Sequence, residues 1–136
     1  PVGIPLLGQW DLDKGIVRAN PESEIFNIRL EIDNIEAAKL IYDGAKTLFV
    51  DARSGEDYEA GHVKGAVSLS LRAFDDHIED FINRYPPEQP IVTYCSGRTC
   101  EDSHHLAQML LDSGYQHINI MIDGFQTWKE KGFPIE

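Results

Sequence analysis

Basic side chains are scarce in this chain: 12 Lys and Arg stand against 23 Asp and Glu, giving a formal charge of −11. No cluster of cations interrupts the acidic background. That argues against a nucleic-acid or anionic-membrane surface and leaves proteins and small molecules as partners. Cysteine is scarcer still. The 2 present in 136 residues are Cys95 and Cys100, 5 positions apart. A link between them closes too small a loop to hold a domain together, so a reactive role is favoured over a disulfide framework. No run approaches the roughly 18–20 apolar residues of a membrane span, and no signal-peptide pattern opens the chain. The first residue is Pro1 rather than Met, which fits a processed chain or a piece of a longer protein. The missing leader therefore says little of the parent. A cytoplasmic location is the expectation, with a periplasmic or membrane-tethered part of a longer protein as the alternative.

What is present reads as one domain, large enough to bury roughly two-thirds of its unfolded surface. Residues 1–31 read as an extended N-terminal arm and a first strand, and 32–136 as the domain proper. Pro and Gly punctuate the arm, and Trp10 is placed to pin it. Phe26 to Ile32 alternates apolar and polar residues as a strand with one buried face does. Asp33, with Glu36 three residues on, has the spacing of a capping box for a helix ending near Gly44. Further strands are expected at Thr47–Asp51, Val67–Ser70, Ile91–Tyr94 and Ile118–Ile122. Helices are expected over Leu71–Tyr85, from Glu101 to Ser113, and at the end around Phe125 and Trp128. Strands alternating with helices imply a parallel α/β sheet with helices on both faces, and ligands at the carboxyl ends of the strands.

The turn from Cys95 to Cys100 lies between such a strand and such a helix. Backbone N–H groups and the helix dipole add positive potential there. A thiol so placed ionises below the free cysteine value of about 8.5, and the thiolate is the nucleophile. Cys95 is therefore a candidate nucleophile, with an inert buried cysteine as the plainer reading. Cys100 either sits at the helix start in place of Ser or Thr, or is a second reactive thiol. Arg98 is either a solvated charge or an attractor of an anion. Cys95, Cys100, His104 and His105 make a poor zinc set, because adjacent histidines on a helix point their imidazoles about 100° apart. A phosphatase or arsenate reductase loop needs an arginine where Glu101 stands.

Leu48-Phe49-Val50-Asp51-Ala52-Arg53, Tyr58-Glu59-Ala60-Gly61-His62-Val63-Lys64-Gly65-Ala66, Val92-Thr93-Tyr94-Cys95, Gly124-Phe125-Gln126-Thr127-Trp128-Lys129 and Gly132-Phe133-Pro134-Ile135 follow in unbroken order. Together they resemble the rhodanese module, from about Ile32 to Glu136. The resemblance implies a doubly wound α/β domain with a five-stranded, mainly parallel sheet and a six-residue loop from Cys95 to Cys100. It also implies sulfur transfer through a persulfide on a catalytic Cys95, with Ser96, Gly97, Arg98, Thr99 and Cys100 around the substrate and no cofactor or metal. The donor would be a small sulfur anion such as thiosulfate, and the acceptor cyanide, a thiol or a protein. The alternative is a non-catalytic or redox-sensing module that cycles a Cys95–Cys100 disulfide. Asp51, Arg53, Glu59 and His62 are expected to be structural, with Arg53 in an ion pair. Many members set the loop glycine three residues after the cysteine and close the loop with a hydroxyl residue. Here Gly97 comes two after and Cys100 closes it, which leaves the donor and acceptor open.

Overall fold

Residues 30–136 are described by a computed structural model. The expected arm with Trp10, and the expected Phe26–Ile32 strand before Leu30, lie outside the described residues; of the rest of that strand Leu30 is helical and only Glu31–Ile32 is extended. The strands are β1 (Glu31–Ile32), β2 (Leu48–Asp51), β3 (Val67–Ser68), β4 (Ile91–Tyr94) and β5 (Ile118–Met121), in the order β1-β5-β4-β2-β3. β2 pairs in parallel with both β3 and β4, and β4 with β5, so that Val50, Thr93 and Ile120 lie in one row. Between them run helices α1 (Ile35–Asp43), α2 (Gly55–Ala60), α3 (Phe74–Arg84) and α4 (Asp102–Asp112), and α5 (Gly124–Glu130) follows the last strand. The chain leaves β2 toward β3 on one side and returns on the other as β4. That reversal puts a crevice at the carboxyl ends of β2 and β4, where ligands of such sheets bind.

Side chains alternate across the sheet. Phe49, Val92, Tyr94 and Met121 share one face with Ile35 and Ala38 of α1 and with Phe125 and Trp128 of α5. Trp128 is fully buried, with the rings of Tyr42, Phe49 and Phe133 at 5.2, 5.8 and 5.1 Å. Its indole N–H donates to the Pro134 carbonyl at 2.7 Å, which satisfies the polar end of an otherwise apolar anchor. On the opposite face, α4 buries Leu106, Ala107 and Leu110 and packs on β4 and β5. The Thr93 hydroxyl donates to the Ser103 carbonyl there, and Phe81 of α3 meets Tyr115. Helices thus cover both faces, and all four residues of β4 are buried, as a central parallel strand requires.

Three expectations shift in detail. The cap of α1 is Asn34 rather than Asp33: the Asn34 Oδ1 accepts from the N–H groups of Glu36 at 2.8 Å and Ala37 at 3.1 Å. Asp33 is drawn instead into an ion pair with Arg98. The expected Leu71–Tyr85 helix opens with a 3₁₀ turn, Leu71–Ala73, and becomes α-helical at Phe74. The expected Val67–Ser70 strand pairs only over Val67–Ser68.

A buried polar network ties the ends of β2 and β4 together. The Asp51 carboxylate, fully buried, accepts from the Arg53 N–H, Nε and Nη2 and from the Tyr94 hydroxyl. Arg53 Nη2 also donates to the Gly61 carbonyl, and its guanidinium lies 4.4 Å over the Phe125 ring. Burial pulls the Arg53 pKa down, and hydrogen bonding and charge from Asp51 more than reverse it, leaving it above its ordinary value. The Tyr94 phenol is held well above its ordinary value, by burial first and by the Asp51 charge second. The Tyr94 oxygen also accepts from the Val63 N–H at 3.1 Å. Tyr94→Phe is therefore expected to leave a buried N–H unsatisfied and cost about 1–3 kcal/mol in a urea unfolding titration. An unchanged midpoint would show that the Tyr94 hydroxyl contributes nothing to stability.

Candidate active site

β4 ends at Tyr94, and Cys95 is the first residue beyond it, 3 % exposed at the switch point. The loop that follows is shaped by α5. The carbonyl of Cys95 accepts from the Phe125 N–H at 2.8 Å, and that of Ser96 from the Gln126 N–H at 3.1 Å. Gly124, at φ +77, makes this approach possible. A Cβ there would stand 2.6 Å from Gly97 N and from the Ser96 carbonyl carbon, and 2.8 Å from the Cys95 oxygen. No peptide among the described residues is cis. In a trans peptide the N–H points opposite to the C=O, so the N–H groups of Ser96 and Gly97 face away from α5. Among the described residues, the N–H groups of Ser96, Gly97, Arg98 and Thr99 donate to no protein acceptor.

The loop then turns back. Cys100 N–H donates to the Gly97 carbonyl at 3.1 Å, and the chain enters α4, whose N-cap residue, Glu101, makes no side-chain cap bond. The orphan N–H groups of a helix start carry partial positive charge. Cys95 and Cys100 are joined as a disulfide, with Cα atoms 6.1 Å apart. Cys95 Sγ lies 3.9 Å from the Ser96 hydroxyl.

Side-chain charge does not add to this potential. Arg98 is 54 % exposed and held between two carboxylates, Nη2 on Asp33 at 2.7 Å and Nε on Asp123 at 2.6 Å. Asp33 and then Asp123 raise its pKa above the ordinary value. Asp102 lies close as well: its carboxylate and the two sulfurs fall within 4.8 Å of one another. His104 and His105 do not join that group. Attraction for an anion at this loop therefore rests on backbone N–H groups and the α4 terminus.

The sequence-nominated residues Cys95 through Cys100 thus form one continuous loop at the switch point. Ser96 and Thr99 are exposed, and Gly97 and Cys100 partly covered. Arg53 is in the ion pair expected of it, 2.7 Å from Asp51, and His62 Nδ1 lies 2.7 Å from the Tyr58 carbonyl. Three participants escaped the sequence reading. Asp33 and Asp123 compensate Arg98 from 65 and 25 residues away. Gly124 was visible only as part of a recurring pattern, and its need for a missing Cβ arises between segments far apart in the chain.

The rhodanese-like domain model matches residues 34–131. A thiosulfate sulfurtransferase GlpE from Coxiella burnetii is 28 % identical over 99 residues, covering 73 % of this chain and 86 % of that protein. The HTH-type transcriptional regulator Rv0324 of Mycobacterium tuberculosis is 26 % identical over 106 residues, covering 76 % of this chain, and the match spans 45 % of the regulator's length. Among solved structures, the BH2092 protein of Bacillus halodurans superposes with a TM-score of 0.68 at 24 % identity, covering 86 % of each chain.

Proposed function

The chain belongs to the rhodanese-like domain family, and on that premise we propose that it is a sulfurtransferase whose nucleophile is Cys95. In its reduced form the Cys95 thiolate attacks the sulfane sulfur of a donor such as thiosulfate. The sulfur–sulfur bond of the donor breaks with its electron pair on the departing sulfite, and the sulfur remains on Cys95 as a persulfide. A thiol or cyanide then takes it. The observation that carries this reading is the set of uncommitted N–H groups from Ser96 to Thr99, beside a cysteine at the carboxyl end of the central strand. Fixed donors of this kind stabilise negative charge on a terminal sulfur in the transition state without reorganising. The relative named a thiosulfate sulfurtransferase favours transfer over a redox-sensing module. The test is sulfite release from thiosulfate by the reduced protein with cyanide present, one sulfite for each sulfur transferred. No release above the rate of a Cys95→Ala variant would overturn the assignment.

Arg98 acts here through the charge it cancels. Removing it uncovers Asp33 and Asp123, with Asp102 already beside the sulfurs. Arg98→Ala should raise KM for thiosulfate by about fivefold or more and change kcat less, because the loss bears on ground state and transition state alike. The thermal midpoint should move little, since exposed ion pairs contribute little to stability. An unchanged KM would mean that the donor does not feel these charges.

A further inference from the structure

We propose that Cys100 is a resolving thiol, and that the protein couples sulfur transfer to reduction, releasing the transferred sulfur as sulfide at the expense of an external dithiol. The proposal rests on the Cys95 persulfide of the preceding reading.

The loop brings the two sulfurs together by backbone bonds and does so without help from any cap. Cys95 and Ser96 are fixed to the α5 terminus through their carbonyls, and the Cys100 N–H to Gly97 carbonyl bond folds the far end of the loop back over them. The resulting Cα separation of 6.1 Å falls within the limit of about 7 Å for a disulfide. The disulfide joins Cys100 to the Sγ of Cys95, which is the inner sulfur of a Cys95 persulfide. The plainer role for Cys100, starting the helix in place of Ser or Thr, finds no support. α4 is preceded by Glu101 and has no side-chain cap bond. A staple is also a poor account, since so short a loop restrains the unfolded chain by only about 2 kcal/mol.

The chemistry balances without any oxidant. The Cys100 thiolate attacks the inner sulfur of the Cys95 persulfide, a Cys95–Cys100 bond forms, and the bond to the outer sulfur breaks with its electron pair on departing hydrosulfide. The sulfane sulfur is reduced and the two thiols are oxidised. An external dithiol then restores the pair. Cys95 is buried and Cys100 only partly covered, so the outside thiol attacks Cys100 and expels the Cys95 thiolate, because exchange follows access. The second thiol of the reductant frees Cys100. Over one cycle, thiosulfate and a dithiol give sulfite, hydrogen sulfide and a cyclic disulfide.

The test is a single turnover. Wild type and Cys100→Ser are reduced with a phosphine, freed of reductant and mixed with thiosulfate without any thiol or cyanide. Sulfite, sulfide and intact mass are then followed. Wild type should release sulfite and sulfide in equal amounts and finish about 2 Da lighter as a disulfide, while Cys100→Ser should release sulfite, at least about tenfold less sulfide, and stay about 32 Da heavier as a persulfide. Sulfite release by the variant also shows that it is folded. A wild type that stays at the persulfide mass without sulfide, with the extra sulfur on either cysteine, overturns the resolving role and leaves transfer by Cys95 standing. Absence of sulfite from both proteins overturns the transfer reading and this proposal with it.

Discussion

Cys95→Ala should reduce sulfite release from thiosulfate to the uncatalysed level, a loss of at least about 10³-fold in turnover, because removing the proposed covalent nucleophile removes the route to the intermediate. The proposed step leaves no alternative thiol in position to replace it. Cys100 is reached after Cys95 in the mechanism, and its bond to the donor would lack the N–H groups of Ser96 and Gly97, which follow Cys95 directly. The comparison belongs under reducing conditions. There wild type also lacks the disulfide, so a stability difference reports only the small cavity left by one buried sulfur, on the order of 1 kcal/mol. Circular dichroism and a urea midpoint would check that the variant remains folded. Turnover within tenfold of wild type would remove Cys95 from the mechanism.

Gly124→Ala is the second large effect, and it acts on the site from a different element. A methyl group there would meet three backbone atoms of residues 95–97 at 2.6–2.8 Å, in a backbone with φ +77. The left-handed conformation costs about 1–2 kcal/mol for a residue with a side chain. The clash adds to that, since backbone cannot yield as a flexible side chain does. Moving the loop away breaks the bonds from Phe125 and Gln126 to the carbonyls of Cys95 and Ser96, each about 1 kcal/mol. The expected total is about 3–4 kcal/mol, together with a roughly 10²-fold fall in kcat/KM as the nucleophile and the N–H groups lose register. Gly132→Ala provides the control. It has a similar φ of +74 and nothing within 4 Å of the added carbon, so it should show the conformational cost alone with activity intact. Equal losses in the two variants would mean that the close approach to the loop is unimportant.

Most of the fold was legible because its signals are local. Ile91–Tyr94 is a run of β-branched and aromatic residues bounded by Pro90 and the Cys95 loop, and it forms β4 with the expected bounds. The alternation of strands and helices carried the parallel order of the sheet. Asp33 and Asn34 show where local reading fails. Both are good caps by type; in the fold Asn34 takes the cap and Asp33 pairs with Arg98, 65 residues away. The same distance hides the setting of Arg98, expected as a solvated charge or an attractor of an anion and held in the fold between two carboxylates. Its two carboxylates come from before α1 and after β5, and no periodicity connects them. The loop between Cys95 and Cys100 was located from chain order and residue type, whereas the direction of its peptide groups depends on a contact with α5 that only the folded chain reveals.

That direction has a consequence for how the site can vary. The carbonyls of Cys95 and Ser96 serve the fold and the N–H groups beside them have no protein acceptor among the described residues, so on the proposed mechanism the stabilisation of charge is written in main chain that every residue type supplies, proline excepted. Ser96 and Thr99 are exposed, so on the same proposal their side chains can be exchanged without disturbing the N–H groups assigned to hold the sulfur. The loop is thus permissive at its own surface positions and intolerant at Gly124, where the constraint on its shape resides.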